Sequence, residues 1–273
     1  MKPILSIVVP CYRQGEFLSE TLDSILKQTF QDWECIVVND GSPDNTSEVA
    51  GRYVKLDPRF RLIETENGGV SAARNIGIRA SSGEFILPLD GDDIILPRYT
   101  ELAIKRFRQH PETKLVYCQA RFFGEKKGFW DMPEYEWDKF IFNNSIFNPC
   151  IFRRSDFDKT DGYNEKMRVG LEDWDFFLSF LSKDDVVYRI PKVLLLYRIK
   201  RVSKTVTEVE SNKKKLAWEI IDNHPDIYRD FLYRNMALIT PQPTDKTDKL
   251  DKAIGHVITK PIRLIRKLIL KFK

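Results

Sequence analysis

The sequence predicts an α/β fold, a mostly parallel sheet flanked by helices, and three observations in its N-terminal half predict it. Short β-branched runs alternate with amphipathic segments. The runs are apolar at successive positions, as strands buried on both faces are. Each run ends in polar or glycine-bearing residues. Repeated β-α-β units of this kind build a parallel sheet with helices on both faces.

Residues 4–9 (I-L-S-I-V-V) form the first expected strand. Residues 16–28 follow as an amphipathic helix, with Leu18, Leu22, Ile25 and Leu26 at helical spacing. Strands are expected at 35–38, 60–64, 85–89 and 115–120, and a helix at 46–56. Ser71 is the expected N-cap of a helix running to residue 78. Pro97 is expected in the first turn of the next helix, where its missing N–H costs nothing. The C-terminal half is less regular. Residues 124–150 are rich in Trp, Phe, Tyr and Asn without clean periodicity. A short helix is expected at 172–181, strand-like runs broken by Pro191 at 186–199, and one long helix at 213–238. A polar, proline-bearing linker comes next, and no internal repeat is present.

Composition bounds the function classes. The chain has 273 residues, 42% hydrophobic and 31% charged, as suits a sizeable core. The net charge of +4 is unevenly placed, since every charged residue from Lys252 to Lys273 is basic and the rest of the chain is slightly acidic. That balance argues against nucleic-acid binding, which needs a basic working face. The scattered Cys11, Cys35, Cys118 and Cys150 form no C-x-x-C pair, so neither a zinc site nor a disulfide scaffold is expected. The run at 4–10 is too short to span a bilayer and lacks a small-residue cleavage site, so no signal peptide is expected.

Ligands of parallel α/β sheets bind outside the carboxyl ends of the strands, which draws attention to the residues just past each run. There stand Pro10-Cys11-Tyr12-Arg13, Asn39-Asp40-Gly41-Ser42, Glu66-Asn67-Gly68-Gly69 and Asp90-Gly91-Asp92-Asp93. The last places three carboxylates within four residues. Such a cluster suits Mg²⁺ or Mn²⁺, hard cations shared between one or two carboxylates and substrate phosphates. In isolation it reads equally as a solvated turn. Gly68-Gly69 allows close backbone approach just before a helix N-terminus, where anions are favoured.

Together these stretches resemble glycosyltransferase family 2, the inverting nucleotide-sugar-dependent transferases of the GT-A fold. The resemblance lies in S-I-V-V-P-C-Y-R, S-I-L-K-Q-T-F-Q-D-W-E-C-I-V-V-N-D-G-S and N-G-G-V-S-A-A-R-N-I-G-I-R-A-S-S-G-E-F-I-L-P-L-D-G-D-D. Further on lie N-P-C-I-F-R-R and G-L-E-D-W-D-F-F-L-S-F. It covers roughly residues 3–200. It implies a GT-A-like (Rossmann-like) domain at 1–205, with a nucleotide-binding half at about 1–120 and an acceptor half at about 121–205. A helical extension at 206–240, a linker at 241–252 and a basic amphipathic helix at 253–273 complete the expected layout.

The resemblance also implies roles. Pro10, Tyr12 and Asp40 would line the nucleoside pocket, Arg74 would sit near the nucleotide, and Asp90 would face the ribose and the metal. Asp92 would be the principal metal ligand with Asp93 in support. Asp173 would be the catalytic base, with Glu172 beside it facing the acceptor. Outside the family, Glu172 and Asp173 read simply as acids favoured by a helix N-terminus. One departure stands out: many relatives carry a histidine shortly after a Y-R pair, and here Tyr197-Arg198 leads to Lys200, with Arg201 beyond it. Lys200 and Arg201 are therefore expected to neutralise the diphosphate. His110, His224 and His256 are expected at the surface or as caps.

The implied reaction moves a sugar from a nucleoside-diphosphate donor, UDP being common in the family, to a hydroxyl of a glycan or lipid-linked acceptor. A sugar-phosphate nucleotidyltransferase and a non-catalytic nucleotide-binding module are the competing readings. In the tail, Ile262, Leu264, Ile265, Leu268, Ile269 and Phe272 share one helical face and the basic residues the other. Residues 259–273 are thus expected to lie on an anionic membrane surface, holding the enzyme peripherally at the inner face of the membrane, in the cytoplasm.

Overall fold

A computed structural model describes residues 2–200 and 204–235. Four strands form its parallel half: β1 (Leu5–Cys11), β2 (Trp33–Asp40), β3 (Phe60–Thr65) and β4 (Phe85–Pro88), in the order β3-β2-β1-β4. Every β1 residue is buried, which accounts for its unbroken apolar run. Alternation sends successive side chains to opposite faces. Ile36 and Val38 meet Ala73 of α3 (Val70–Ala80), while Cys35 and Val37 join the larger core. That core includes Leu18, Leu22 and Ile25 of α1 (Leu18–Leu26), Val49 of α2 (Thr46–Leu56) and Phe107 of α4 (Tyr99–Gln109). Helix α3 lies close on the sheet because Gly77 faces Val8; a Cβ there would meet Val8 Cγ1 at 2.4 Å.

Beyond β4 the sheet becomes mixed. Strand β8 (Ile151–Arg153) pairs antiparallel with β4 and with β6 (Thr113–Gly124), and β9 (Val186–Ile199) runs parallel to β6. The two-residue β5 (Ile94–Ile95) and β7 (Gly128–Trp130) complete it, antiparallel to β9 and β6. The one-turn helices α5 (Trp137–Phe140) and α6 (Arg154–Phe157) precede and follow β8 in the chain. The strand-like runs at 186–199 prove to be one strand. Pro191 is accommodated because the register jumps from Ile190, opposite Cys118, to Val193, opposite Gln119, leaving exposed Pro191 and Lys192 unpaired.

Other expectations shift. Ser71 does not cap α3: Gly69 holds that position with φ 93°, and the Ser71 hydroxyl is buried without a partner. Pro97 precedes α4 instead of starting it, and its carbonyl accepts the Thr29 backbone N–H at 2.7 Å. The long C-terminal helix is two helices, α8 (Lys204–Asn223) and α9 (Pro225–Arg234), because Pro225 cannot continue a helix but suits the start of one. Between them, His224 Nε2 lies 3.0 Å from Asp175 Oδ1 and the side chain is mostly buried, so this histidine docks the extension onto α7 (Glu172–Phe180). The Tyr228 hydroxyl adds a hydrogen bond to the Ile141 carbonyl at 2.6 Å. All four cysteines are free and buried, and burial pushes their thiols up. Among the described residues no helix is long and apolar enough to cross a membrane. Residues 236–273, with the expected linker and basic helix, and Arg201 lie outside the described residues.

Candidate active site

Strand β1 sits between β2 and β4, so the chain reverses its winding there, and crevices at such reversals are where ligands bind. Pro10, next to last in β1, is buried, and Tyr12 just beyond the strand is 44% exposed. Arg13 is held in the left-handed region at φ 56°; its N–H donates to Ser42 Oγ at 3.1 Å, and its guanidinium lies 5.4 Å from the Tyr12 ring centre. An exposed aromatic steadied in this way offers a flat face at the strand end.

Asp40, at the end of β2, is 3% exposed and heavily engaged. Its carboxylate accepts the Gly68 and Gly69 N–H groups at 2.7 and 2.9 Å and the Asn67 side-chain amide at 3.1 Å. The anion at the start of α3 is therefore the protein's own: Asp40 takes the amides that Gly68-Gly69 would otherwise offer a ligand.

The turn after β4 is tight. Asp93 N–H closes onto the Asp90 carbonyl at 3.1 Å, and Gly91 passes so near β1 that a Cβ would meet Cys11 Sγ at 2.9 Å. Its three carboxylates go separate ways. Asp90 accepts from Arg74 Nη2 at 2.7 Å. Asp92 pairs with Lys200 Nζ at 2.6 Å. Asp93 is 1% exposed, accepts the Arg198 backbone N–H at 2.9 Å, and keeps its other oxygen buried without a partner. Burial raises the Asp92 carboxyl, opposed by Lys200 and aided by Asp90. It raises Asp93 further, with Asp92 and Asp90 adding to the effect. Ionising all three acids together is therefore costly without added positive charge, a donor set suited to a hard cation. Among the described residues no three metal-binding side chains converge, so phosphate oxygens would have to complete its shell.

Glu172 and Asp173 enter from the opposite side, in the first turn of α7. Gly170 at φ 131° and Leu171 at φ 64° make the turn that aims them. A leucine in that region is strained, a feature concentrated at functional sites. Glu172 accepts from Arg74 Nη1 at 2.7 Å, so one buried guanidinium, 3% exposed in its side chain, bridges Asp90 and Glu172. Asp173 Oδ1 accepts the Trp174 N–H at 2.7 Å and the Asn144 side chain at 3.4 Å. Burial, with the neighbouring Glu172 charge, pushes its carboxyl up to about 7, against the pull of Arg74. A carboxylate near neutrality is suited to general-base work.

Two supports were not picked out from the sequence. Asn75 accepts the Tyr163 N–H and donates to the Tyr163 carbonyl and to Glu165, tying α3 to the loop before α7. Asn144 lies in the aromatic segment, where no periodicity singles it out. A hint existed for Asn75 alone, as the third residue of A-R-N.

The family model "Glycosyl transferase family 2" matches residues 6–171. The chain belongs to that family. It is 50% identical over 95 residues to the uncharacterized glycosyltransferase EpsJ of Bacillus subtilis, a match spanning 35% of this chain and 28% of that one. To the hyaluronan synthase of Pasteurella multocida it is 32% identical over 262 residues, 94% of this chain and 26% of that one. The match therefore spans about a quarter of the length of these relatives. S. aureus TarS in complex with UDP-GlcNAc superposes with a TM-score of 0.68 at 19% identity, over 98% of this chain and 84% of that one. The mixed sheet with flanking helices is accordingly a GT-A-like, Rossmann-type fold.

Proposed function

We propose that the chain is a glycosyltransferase that moves a sugar from a nucleoside-diphosphate donor to an acceptor hydroxyl, with inversion at the anomeric carbon. The observation that carries the reading is Asp173, a carboxyl near neutrality at about 7, joined through Glu172 and Arg74 to Asp90 of the aspartate turn. The nucleoside lies against Pro10 and Tyr12, with Asp40 fixing the loop beneath the base and, through its remaining acceptor capacity, reading a base N–H. UDP is the proposed nucleotide, in keeping with the UDP-GlcNAc complex of TarS.

Asp92, with Asp93 behind it, would hold Mg²⁺ or Mn²⁺ together with the diphosphate, and the ion when bound would act as a Lewis acid on the leaving group. Asp173 removes the acceptor proton as the hydroxyl attacks, and Glu172 orients that hydroxyl from its fixed place on Arg74. Lys200 and Arg201 neutralise diphosphate oxygens. With Asp173 acting as base on the acceptor hydroxyl, the proposed displacement is single and passes through no covalent intermediate. The acceptor is a glycan or a lipid-linked glycan, at the cytoplasmic face of a membrane reached through the basic tail.

A screen of nucleotide-sugars with Mg²⁺ or Mn²⁺, read as nucleoside-diphosphate release and product anomeric configuration, tests the proposal. Release of the nucleoside diphosphate from one donor, abolished by Asp92→Asn or by excess chelator, is expected. Full turnover in chelator would remove the metal from the scheme, and retention of configuration would remove the single displacement.

A further inference from the structure

The end of β9 brings two cations to the aspartate turn, and they differ in how firmly they are held. Arg198 is held at several points. Its Nε donates to the Asp92 carbonyl at 2.9 Å, its Nη2 lies 3.0 Å from Glu20 Oε1, and the guanidinium sits over the Phe17 and Phe123 rings at 4.6 and 4.2 Å. Lys200 has looser ties. Its Nζ lies 2.6 Å from Asp92 Oδ2 and 3.0 Å from Gln14 Oε1, with the Phe17 ring at 4.7 Å. The side chain is 27% exposed and that of Asp92 18%, so the pair borders the open crevice. An ammonium has three donor hydrogens, and two account for these contacts.

We infer that Lys200 is the resident counter-ion of the donor site: it occupies the Asp92 carboxylate in the free protein and yields it to a divalent ion when a diphosphate draws the ammonium away. The inference rests on the reading of Asp92 as the metal carboxylate. A partly desolvated carboxylate left unpaired is costly, and the two other acids of the turn add repulsion. Lys200 relieves that cost without a metal. It also blocks one, because an ammonium 2.6 Å from Oδ2 excludes an ion that needs the same oxygen at about 2.0–2.1 Å. A flexible four-carbon stem can swing a point charge from carboxylate to phosphate, whereas a planar guanidinium held like that of Arg198 cannot. Metal and diphosphate then assist each other's binding by equal factors. The site also retains a metal-free grip on a diphosphate, through the ammonium alone.

Two titrations on the full chain test this, using Lys200→Gln and Lys200→Arg beside the unmodified protein. Mn²⁺ binding without nucleotide is followed by the electron paramagnetic resonance of the free ion, and UDP binding in excess chelator by calorimetry. Lys200→Gln is expected to bind Mn²⁺ up to about fivefold more tightly, the scale of a partly exposed ion pair, and UDP without metal more weakly by about the same factor. Lys200→Arg, which keeps the charge, is expected to stay near the unmodified protein in Mn²⁺ affinity. A disordered site would weaken both ligands, so opposite signs identify the counter-ion role. Unchanged or weaker Mn²⁺ binding in Lys200→Gln overturns the inference. If UDP fails to bind the unmodified protein with or without metal, it is the donor assignment that falls, and the nucleotide-free Mn²⁺ titration still decides the role of Lys200.

Discussion

Burial and the Glu172 carboxylate next door hold Asp173 near neutrality, so its charge changes across the ordinary pH range. Asp173→Asn removes the base and is expected to lower turnover by at least ~10²-fold with little change in nucleotide affinity. In the unmodified protein kcat should rise with pH through about 7. Stability runs the other way. The folded carboxyl titrates above its unfolded range, so its contribution is complete below about pH 4 and lost as pH rises through about 7. Asp173→Asn should therefore be more stable than the unmodified protein at pH 8, by roughly 1–3 kcal/mol, and lose that advantage at pH 4. Urea melts at the two pH values read this directly; equal differences at both would mean the raised value is wrong. Arg74→Met is expected to be severe. It strands Asp90 and Glu172 facing one another without their shared cation, at a cost on the order of 3 kcal/mol. A shift in urea midpoint well under that would show that water replaces the guanidinium.

Glycine positions give a paired test of two elements. Gly69 precedes α3 with φ 93° and ψ 166°, a conformation open almost only to glycine, yet a Cβ there would touch nothing within 4 Å. Gly69→Ala should cost about 1–3 kcal/mol through backbone strain alone. Gly51 stands inside α2, also with open space around its Cβ, and Gly51→Ala should stabilise by about 0.5–1 kcal/mol. Opposite shifts in thermal midpoint are expected. At this scale the sequence was legible where neighbours in the chain set the structure. The parallel half followed from its β-branched runs, which also placed Asp40, Asp90 and Asp92 at or just past strand ends. It was illegible where partners are distant. Arg74 and Glu172 are separated by 98 positions, and no local pattern links them. The amides that Asp40 binds belong to a loop 28 residues away, and nothing next to Asp40 in the chain announces them. Pro191 broke the pattern of a strand that continues past it, because a register shift spares the missing N–H. In α8 and α9 the apolar periodicity ran on through Pro225 while the backbone could not.

For the molecule as a whole, charge is the property that sequence reading leaves most open to experiment. Every charged residue from Lys252 to Lys273 is basic, and each can add at most about 1 kcal/mol of attraction near anionic lipid. Co-sedimentation with vesicles rich in anionic lipid should retain the full chain and release a chain ending near Lys252. Equal retention would mean that the tail is not the anchor. The Arg74 bridge has a consequence for recombination between relatives. Arg74 belongs to the half that holds the nucleotide in the proposed scheme, Glu172 to the half that faces the acceptor, and the two groups meet at 2.7 Å. A chimera with its crossover between these positions inherits the guanidinium from one parent and its carboxylate from the other. Such hybrids should survive only when both parents carry that same pair, so donor and acceptor preferences built on this scaffold are not freely exchangeable cassettes.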